Sequence, residues 1–245
     1  MVHITTASIR PVIAEFVGTA FLVIAAIGSA ILPYDVLGAN ISLSVFINAV
    51  AVGAVLFVLV ETFGPVSNAH FNPAVSLSMY LSGQMRGKDC IGYIVAQFSG
   101  GFAGVVATHL MFYNTKPVVL VISQNVKASS LFLAELIGTF LLVIVIYGVM
   151  RNKSKFASLA IGSVVCGMLI TTSSTMYANP AVTFARVFTY AICGIEPFSA
   201  ILFVAFEVVG SLLATTLAIY VFPMRTEMSE VSITAPAAAP GNREE

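Results

Sequence analysis

The residues with chemical potential in this chain come in matched pairs. Asn72-Pro73-Ala74 and Asn179-Pro180-Ala181 are two copies of one tripeptide, and Glu15 and Glu135 are two carboxylates set in apolar surroundings. His70 precedes the first tripeptide and Arg186 follows the second. An Asn directly before Pro suits a helix start. The Asn oxygen caps free backbone N–H groups, and Pro at the first helical position lacks the hydrogen that would be left over. The amide nitrogen then stays available to donate to a neutral polar molecule. A carboxylate inside an apolar helix is costly, so it either does chemistry or accepts hydrogen bonds from backbone that would otherwise be orphaned. No nucleophile paired with a base, phosphate-binding loop or metal constellation appears, so no enzyme and no cofactor is expected.

The elements that position these residues follow from composition. Of the 245 residues 58% are hydrophobic and 9% charged, with mean hydropathy +0.98. Soluble domains carry roughly a quarter charged residues, so the balance points to a bilayer. Formal net charge is zero, and no basic or aromatic-basic surface calls for a nucleic acid. Cys90, Cys166 and Cys193 show no paired spacing and read as small buried hydrophobes. Six apolar stretches, at about 9–32, 40–63, 88–113, 128–150, 156–175 and 197–222, approach the roughly 20 residues a spanning helix needs. Residues 1–222 read as one transmembrane domain, and the Ala/Pro/Glu-rich 223–245 reads as a disordered cytoplasmic tail. With both termini inside, eight Lys and Arg lie on the cytoplasmic side against Lys116, Lys127 and Arg186 outside. The cell membrane (plasma or inner), crossed several times, is the expected location.

An internal repeat organises the spans. Ala14-Glu15-Phe16-Val17-Gly18-Thr19 returns as Ala134-Glu135-Leu136-Ile137-Gly138-Thr139, and His70-Phe71-Asn72-Pro73-Ala74-Val75-Ser76 returns as Tyr177-Ala178-Asn179-Pro180-Ala181-Val182-Thr183. Gln97-Phe98-Ser99-Gly100 is echoed faintly by Glu207-Val208-Val209-Gly210. The copies are about 9–113 and 128–222, each with three spans, so the second copy is inverted. Each tripeptide opens a run too short to cross, Pro73 to about Ser82 and Pro180 to about Tyr190. These read as half-helices that dip into the membrane, which protein tolerates only where the backbone is buried or lines a watery cavity. Inversion brings their N-termini together near the midplane, each with about half a positive charge.

On these motifs the chain resembles the aquaporin family, or major intrinsic proteins, over roughly residues 9–222. The resemblance implies an all-α membrane protein with six transmembrane helices plus two half-helices in an inverted repeat. It implies a passive channel for small neutral solutes, a homotetramer in the lipid bilayer, and half-helix dipoles that exclude cations. It assigns Glu15 and Glu135 to bracing the half-helix loops. It places His70 on the cytoplasmic half of the pore, where an imidazole that titrates near neutrality could sense pH. Most members carry Arg directly after the second tripeptide, as part of an outer selectivity filter. Here that position is Val182. The remaining filter positions transfer to Val52, to Met176, and to Gly167 or Leu169, with Leu169 preferred. A filter without Arg or a ring is expected to be wider and to pass water plus larger neutral solutes such as glycerol. Arg186, one turn beyond Val182, either restores a cation at the outer mouth or snorkels to the interface. The Val also resembles a bacterial branch associated with arsenic resistance, which implies arsenite or methylated arsenicals as neutral hydroxides. A proton-coupled transporter using Glu15, Glu135 and His70 is the reading from another class, and a strict water channel the narrower one.

Overall fold

The computed structural model describes residues 9–222; the tail at 223–245, with Arg225 and Arg243, lies outside the described residues. Eight α-helices occur among them: α1 Arg10–Ile31, α2 Ile41–Ser67, α3 Pro73–Leu81, α4 Gly87–Met111, α5 Ser130–Arg151, α6 Ala157–Thr171, α7 Pro180–Ala185 and α8 Pro197–Val221. Five of them, α1, α2, α4, α5 and α8, are long and apolar enough to cross a bilayer. The sixth stretch, expected at 156–175, is helical only over the 15 residues of α6. At about 1.5 Å per residue that is near 22 Å, short of a hydrocarbon core of about 30 Å. The chain leaves helical geometry at Thr172, and residues 172–179 are spent on the loop that carries Met176 and Asn179.

The repeat is visible in how the helices pair. The main contacts are α1 with α4, α5 with α8, and α2 with α6. The first two pairs are equivalents in the two halves, and the third joins the halves. Each crossing is made close by glycine. A Cβ on Gly100 of α4 would run into the backbone of Phe16 on α1, and one on Gly210 of α8 into the backbone of Leu136 on α5. At the α2–α6 crossing the relation is mutual: a Cβ on Gly53 would sit 2.7 Å from the Gly162 carbonyl, and one on Gly162 2.5 Å from that of Gly53. Such small-residue contacts let helices approach where lipid offers no hydrophobic drive for association.

The short helices α3 and α7 meet end to end. Their Asn caps are reciprocally bonded across the halves, since Asn72 Nδ2 donates to the Ala178 carbonyl and Asn179 Nδ2 to the Phe71 carbonyl, both at 2.8 Å. The second half-helix ends earlier than the expected Tyr190, with α7 closing at Ala185 and a single 3-10 turn running through Phe188. The carbonyls of Arg186, Val187 and Phe188 instead accept from Ile195, Ser123 and Val121 of the loops before α8 and before α5. Those external donors replace the next helical turn.

Candidate functional site: the midplane channel

Both half-helix loops are built from strained backbone. Asn68, Ala69 and Phe71 take positive φ before Asn72, and Thr175, Met176 and Ala178 do so before Asn179. Non-glycine residues there cost of order 1–3 kcal/mol each, so something must hold them. Glu15 and Glu135, both fully buried, supply the hold. Glu15 Oε1 accepts from Ser67 Oγ at 2.7 Å and from the His70 N–H at 2.9 Å. Its Oε2 accepts from the Phe71 N–H at 2.6 Å and from Gln97 Nε2 at 2.8 Å. Glu135 accepts from the Tyr177 N–H at 3.1 Å and the Ala178 N–H at 2.7 Å. Neither carboxylate reaches the channel wall.

The strain turns the two loops so that Asn72 and Asn179 stand on one cavity. Asn72 Oδ1 caps α3 through the Ala74 N–H at 2.9 Å. Asn179 Oδ1 caps α7 through the N–H groups of Ala181 at 3.0 Å and Val182 at 3.3 Å. Each carboxamide NH2 spends one hydrogen on the loop carbonyl across the midplane, which leaves one for a passing molecule. Pro73, Ala74, Pro180 and Ala181 are buried behind the caps and form the helix starts rather than the wall.

The wall also gathers the other candidates. Val52 from α2, Leu169 from α6, Met176 from the second loop and Val182 from α7 all line the cavity, as do His70 and Arg186. Gly167, the alternative to Leu169, is not on the wall. His70 is oriented by Ser76 Oγ, 3.0 Å from its Nδ1, and by the edge of Tyr93. Arg186 is 2% exposed, with its guanidinium 4.0 Å above the Tyr177 ring and its Nε and Nη1 without partners among the described residues. Lys127 from the loop before α5 lies 5.7 Å from the same ring. Burial lowers the Lys127 ammonium below its ordinary value, and Arg186 pushes the same way. Tyr177 and Lys127 were not foreseen. The signal was present, since Tyr177 fills the repeat position of His70 and so had to face the same wall in the other half. Among the described residues no group of three or more His, Cys, Asp or Glu could hold a metal ion.

Two capped half-helices meeting at buried Asn residues, inside an inverted six-helix frame, narrow the identity to one family, and sequence comparison agrees. Residues 3–178 match the family described as Major intrinsic protein. The chain belongs to the major intrinsic protein family. An aquaglyceroporin, AqpS, of Rhizobium meliloti is 38% identical over 94% of this chain and 97% of its own length. AqpM of Methanothermobacter thermautotrophicus, an aquaporin, is 31% identical over 70% of this chain and 80% of its own. The aquaglyceroporin of Plasmodium falciparum shares the fold, with TM-score 0.68 at 19% identity, covering 85% of this chain and 94% of that one. This major intrinsic protein is therefore a multi-pass membrane channel of the aquaporin family.

Proposed function

We propose that this channel passes small uncharged solutes larger than water, of the size of glycerol, through an outer constriction widened by Val182. The observation that carries the proposal is the wall itself: Val52, Leu169, Met176 and Val182 line it, four apolar side chains without a ring or guanidinium among them. A filter selective for water alone has to be narrow and must replace the hydrogen bonds of hydration. The similarity to a protein named an aquaglyceroporin points the same way. Arg186 supplies a cation near the outer mouth, but its guanidinium rests over the Tyr177 ring, so it opposes cations without closing the passage. The Asn72 and Asn179 caps, at the positive ends of α3 and α7, carry the rest of the barrier to cations.

Arsenous acid and methylated arsenicals in their neutral hydroxide forms belong to the same class of solute and form part of the proposal. So do the homotetramer, the cell membrane and the orientation with both termini in the cytoplasm, which rests on the Lys and Arg distribution. A proton-coupled cycle is disfavoured because Glu15 and Glu135 spend their oxygens on loop N–H groups away from the wall. Stopped-flow measurements on proteoliposomes with water, glycerol and arsenous acid test the reading. Downhill flux of glycerol or arsenous acid without a pH gradient is the expected result. Water flux alone, with every larger solute retained, overturns it.

A further inference from the structure

The two halves brace their loops with the same carboxylate but with a different second group, and that difference lies outside the pore. In the first half Gln97 on α4 donates from Nε2 both to Glu15 Oε2 at 2.8 Å and to Ser76 Oγ at 3.0 Å. Ser76 Oγ in turn lies 3.0 Å from His70 Nδ1 and is hydrogen-bonded to the imidazole. The repeat equivalents of Gln97, Ser76 and His70 are Glu207, Thr183 and Tyr177. We propose that Glu207 is a positioning residue that carries a proton, donating it as a hydrogen bond to Glu135 and so fixing the loop that presents Asn179. The proposal is independent of which solute passes.

The geometry forces the meeting. Because α8 crosses α5 at Gly210 as α4 crosses α1 at Gly100, Glu207 is set against Glu135 as Gln97 is against Glu15. The matched crossings set the two carboxyls side by side, as the hydrogen-bonded Gln97 and Glu15 are in the first half, and both are fully buried. Thr183 Oγ1 on α7 donates to Glu207 Oε1 at 2.5 Å. Glu207 Oε2 has no donor among the described residues. The charged group that faces Glu207 from α5 is Glu135. The cations Arg186 and Lys127 face Glu135 from the channel side.

Two ionised carboxylates at that separation in a buried site repel strongly, and sharing one proton removes the repulsion. Glu135 accepts from two backbone N–H groups, hydrogen bonds that an ionised carboxylate makes best. Glu207 receives less, so the proton rests there and the contact becomes an O–H···O⁻ bond, short and charge-assisted. The wiring also fixes what residue 207 has to supply. The Tyr177 hydroxyl donates to the Cys193 carbonyl and makes no hydrogen bond with Thr183. Thr183 must therefore give its hydrogen to residue 207, while Glu135 needs a donor from the same residue. A protonated carboxyl meets both needs.

Infrared difference spectra of the reconstituted channel and its Glu207→Gln variant in the carbonyl region, in light and heavy water, test this directly. The wild type should show a protonated-carboxyl C=O stretch, sensitive to deuterium, that disappears in the variant. Absence of the band in the wild type, or its persistence in E207Q, overturns the proposal. Solute flux gives the second reading. E207Q, which can still donate to Glu135, should stay within about twofold of wild type, while Glu207→Ala should lose several-fold because Glu135 is left without its donor. Flux in E207A equal to wild type, or equal loss in E207Q and E207A, overturns the positioning role. Should E207A fail to fold, the infrared band and the E207Q flux decide alone.

Discussion

Gly18 and Gly138 occupy the same place in the two repeats, yet the structure assigns them different consequences on substitution. A Cβ at Gly18 would approach three ring atoms of Phe71, all closer than 3.0 Å. Phe71 is fully buried and held at positive φ, with its N–H fixed by Glu15 and its carbonyl bonded to Asn179 Nδ2. Its ring has no free direction of retreat. At Gly138 the new atom would meet Met176 Cγ at 2.9 Å, in a flexible thioether side chain that can move into the channel. Overpacking a fixed neighbour costs about 3 kcal/mol, at the upper end of the usual range. Ala gains about 1 kcal/mol over Gly in a helix, leaving Gly18→Ala about 2 kcal/mol destabilised. For a chain of this size that lowers the thermal midpoint by about 4–8 °C. Gly138→Ala should sit within about 1 kcal/mol of wild type, because the helical gain offsets a contact that Met176 can relieve. Its effect should instead appear in selectivity, with glycerol flux reduced by the displaced Met176. Midpoints in detergent together with water and glycerol flux in proteoliposomes separate the two. A G18A midpoint equal to wild type, or a G138A midpoint below that of G18A, refutes the reasoning.

Three further outcomes follow from the same geometry. Val182→Arg should return a cation to the constriction and cut glycerol flux several-fold more than water flux, whereas parallel loss of both counts against the filter assignment. Glu15→Ala leaves the His70 and Phe71 N–H groups unpaired, at about 1–3 kcal/mol each. Its midpoint should fall further than that of Glu15→Gln, and equal stability of E15A and wild type would show that water replaces the carboxylate without loss. Glu196, outside the membrane at the start of α8, accepts from the Phe198 and Ser199 N–H groups, which hold its carboxyl below the ordinary value of 4.5. A depressed carboxyl stabilises the fold above its unfolded value, so that contribution is full near neutrality and fades as pH falls through 4.5 and below. Thermal midpoints across that range should converge between wild type and Glu196→Gln at the acid end, and a constant gap would refute the assignment.

Much of this was legible in the sequence because membranes make the code strict. Hydrophobic length gave the long spans, and the inverted order of Glu, Asn-Pro-Ala and Gly marks gave the symmetry that the glycine crossings display. The capping role of Asn72 and Asn179 was readable from the Asn-Pro step alone. The length of α6 was not readable, since residues 172–176 are as compatible with helix as with loop by composition. What ends the helix is the Glu135 carboxylate drawing the Tyr177 and Ala178 N–H groups into strained backbone, a contact 42 residues away in sequence. The early end of α7 has the same kind of cause, as donors from distant loops take its carbonyls. Arg186 was placed one turn beyond Val182 by helical spacing, but its platform, Tyr177, could be found only by superposing the two repeats.

The superposition also indicates how the halves divide their labour. The first half presents His70 to the channel and completes its brace with the neutral amide of Gln97, so its loop is held by one charge and four donors. The second half presents Tyr177, stacks Arg186 on it, and completes its brace with a second carboxyl. In the proposed filter, where Val182 stands at the usual arginine position, Arg186 is the cation on the same wall, and Glu135 is the carboxylate that faces it. A net negative pair behind the second loop would draw cations toward that constriction. A proton on Glu207 leaves a single negative charge behind the loop, set against the Arg186 cation and the positive end of α7. On the proposed protonation of Glu207, the barrier this channel sets against cations depends on the charge state of a side chain that never touches the solute.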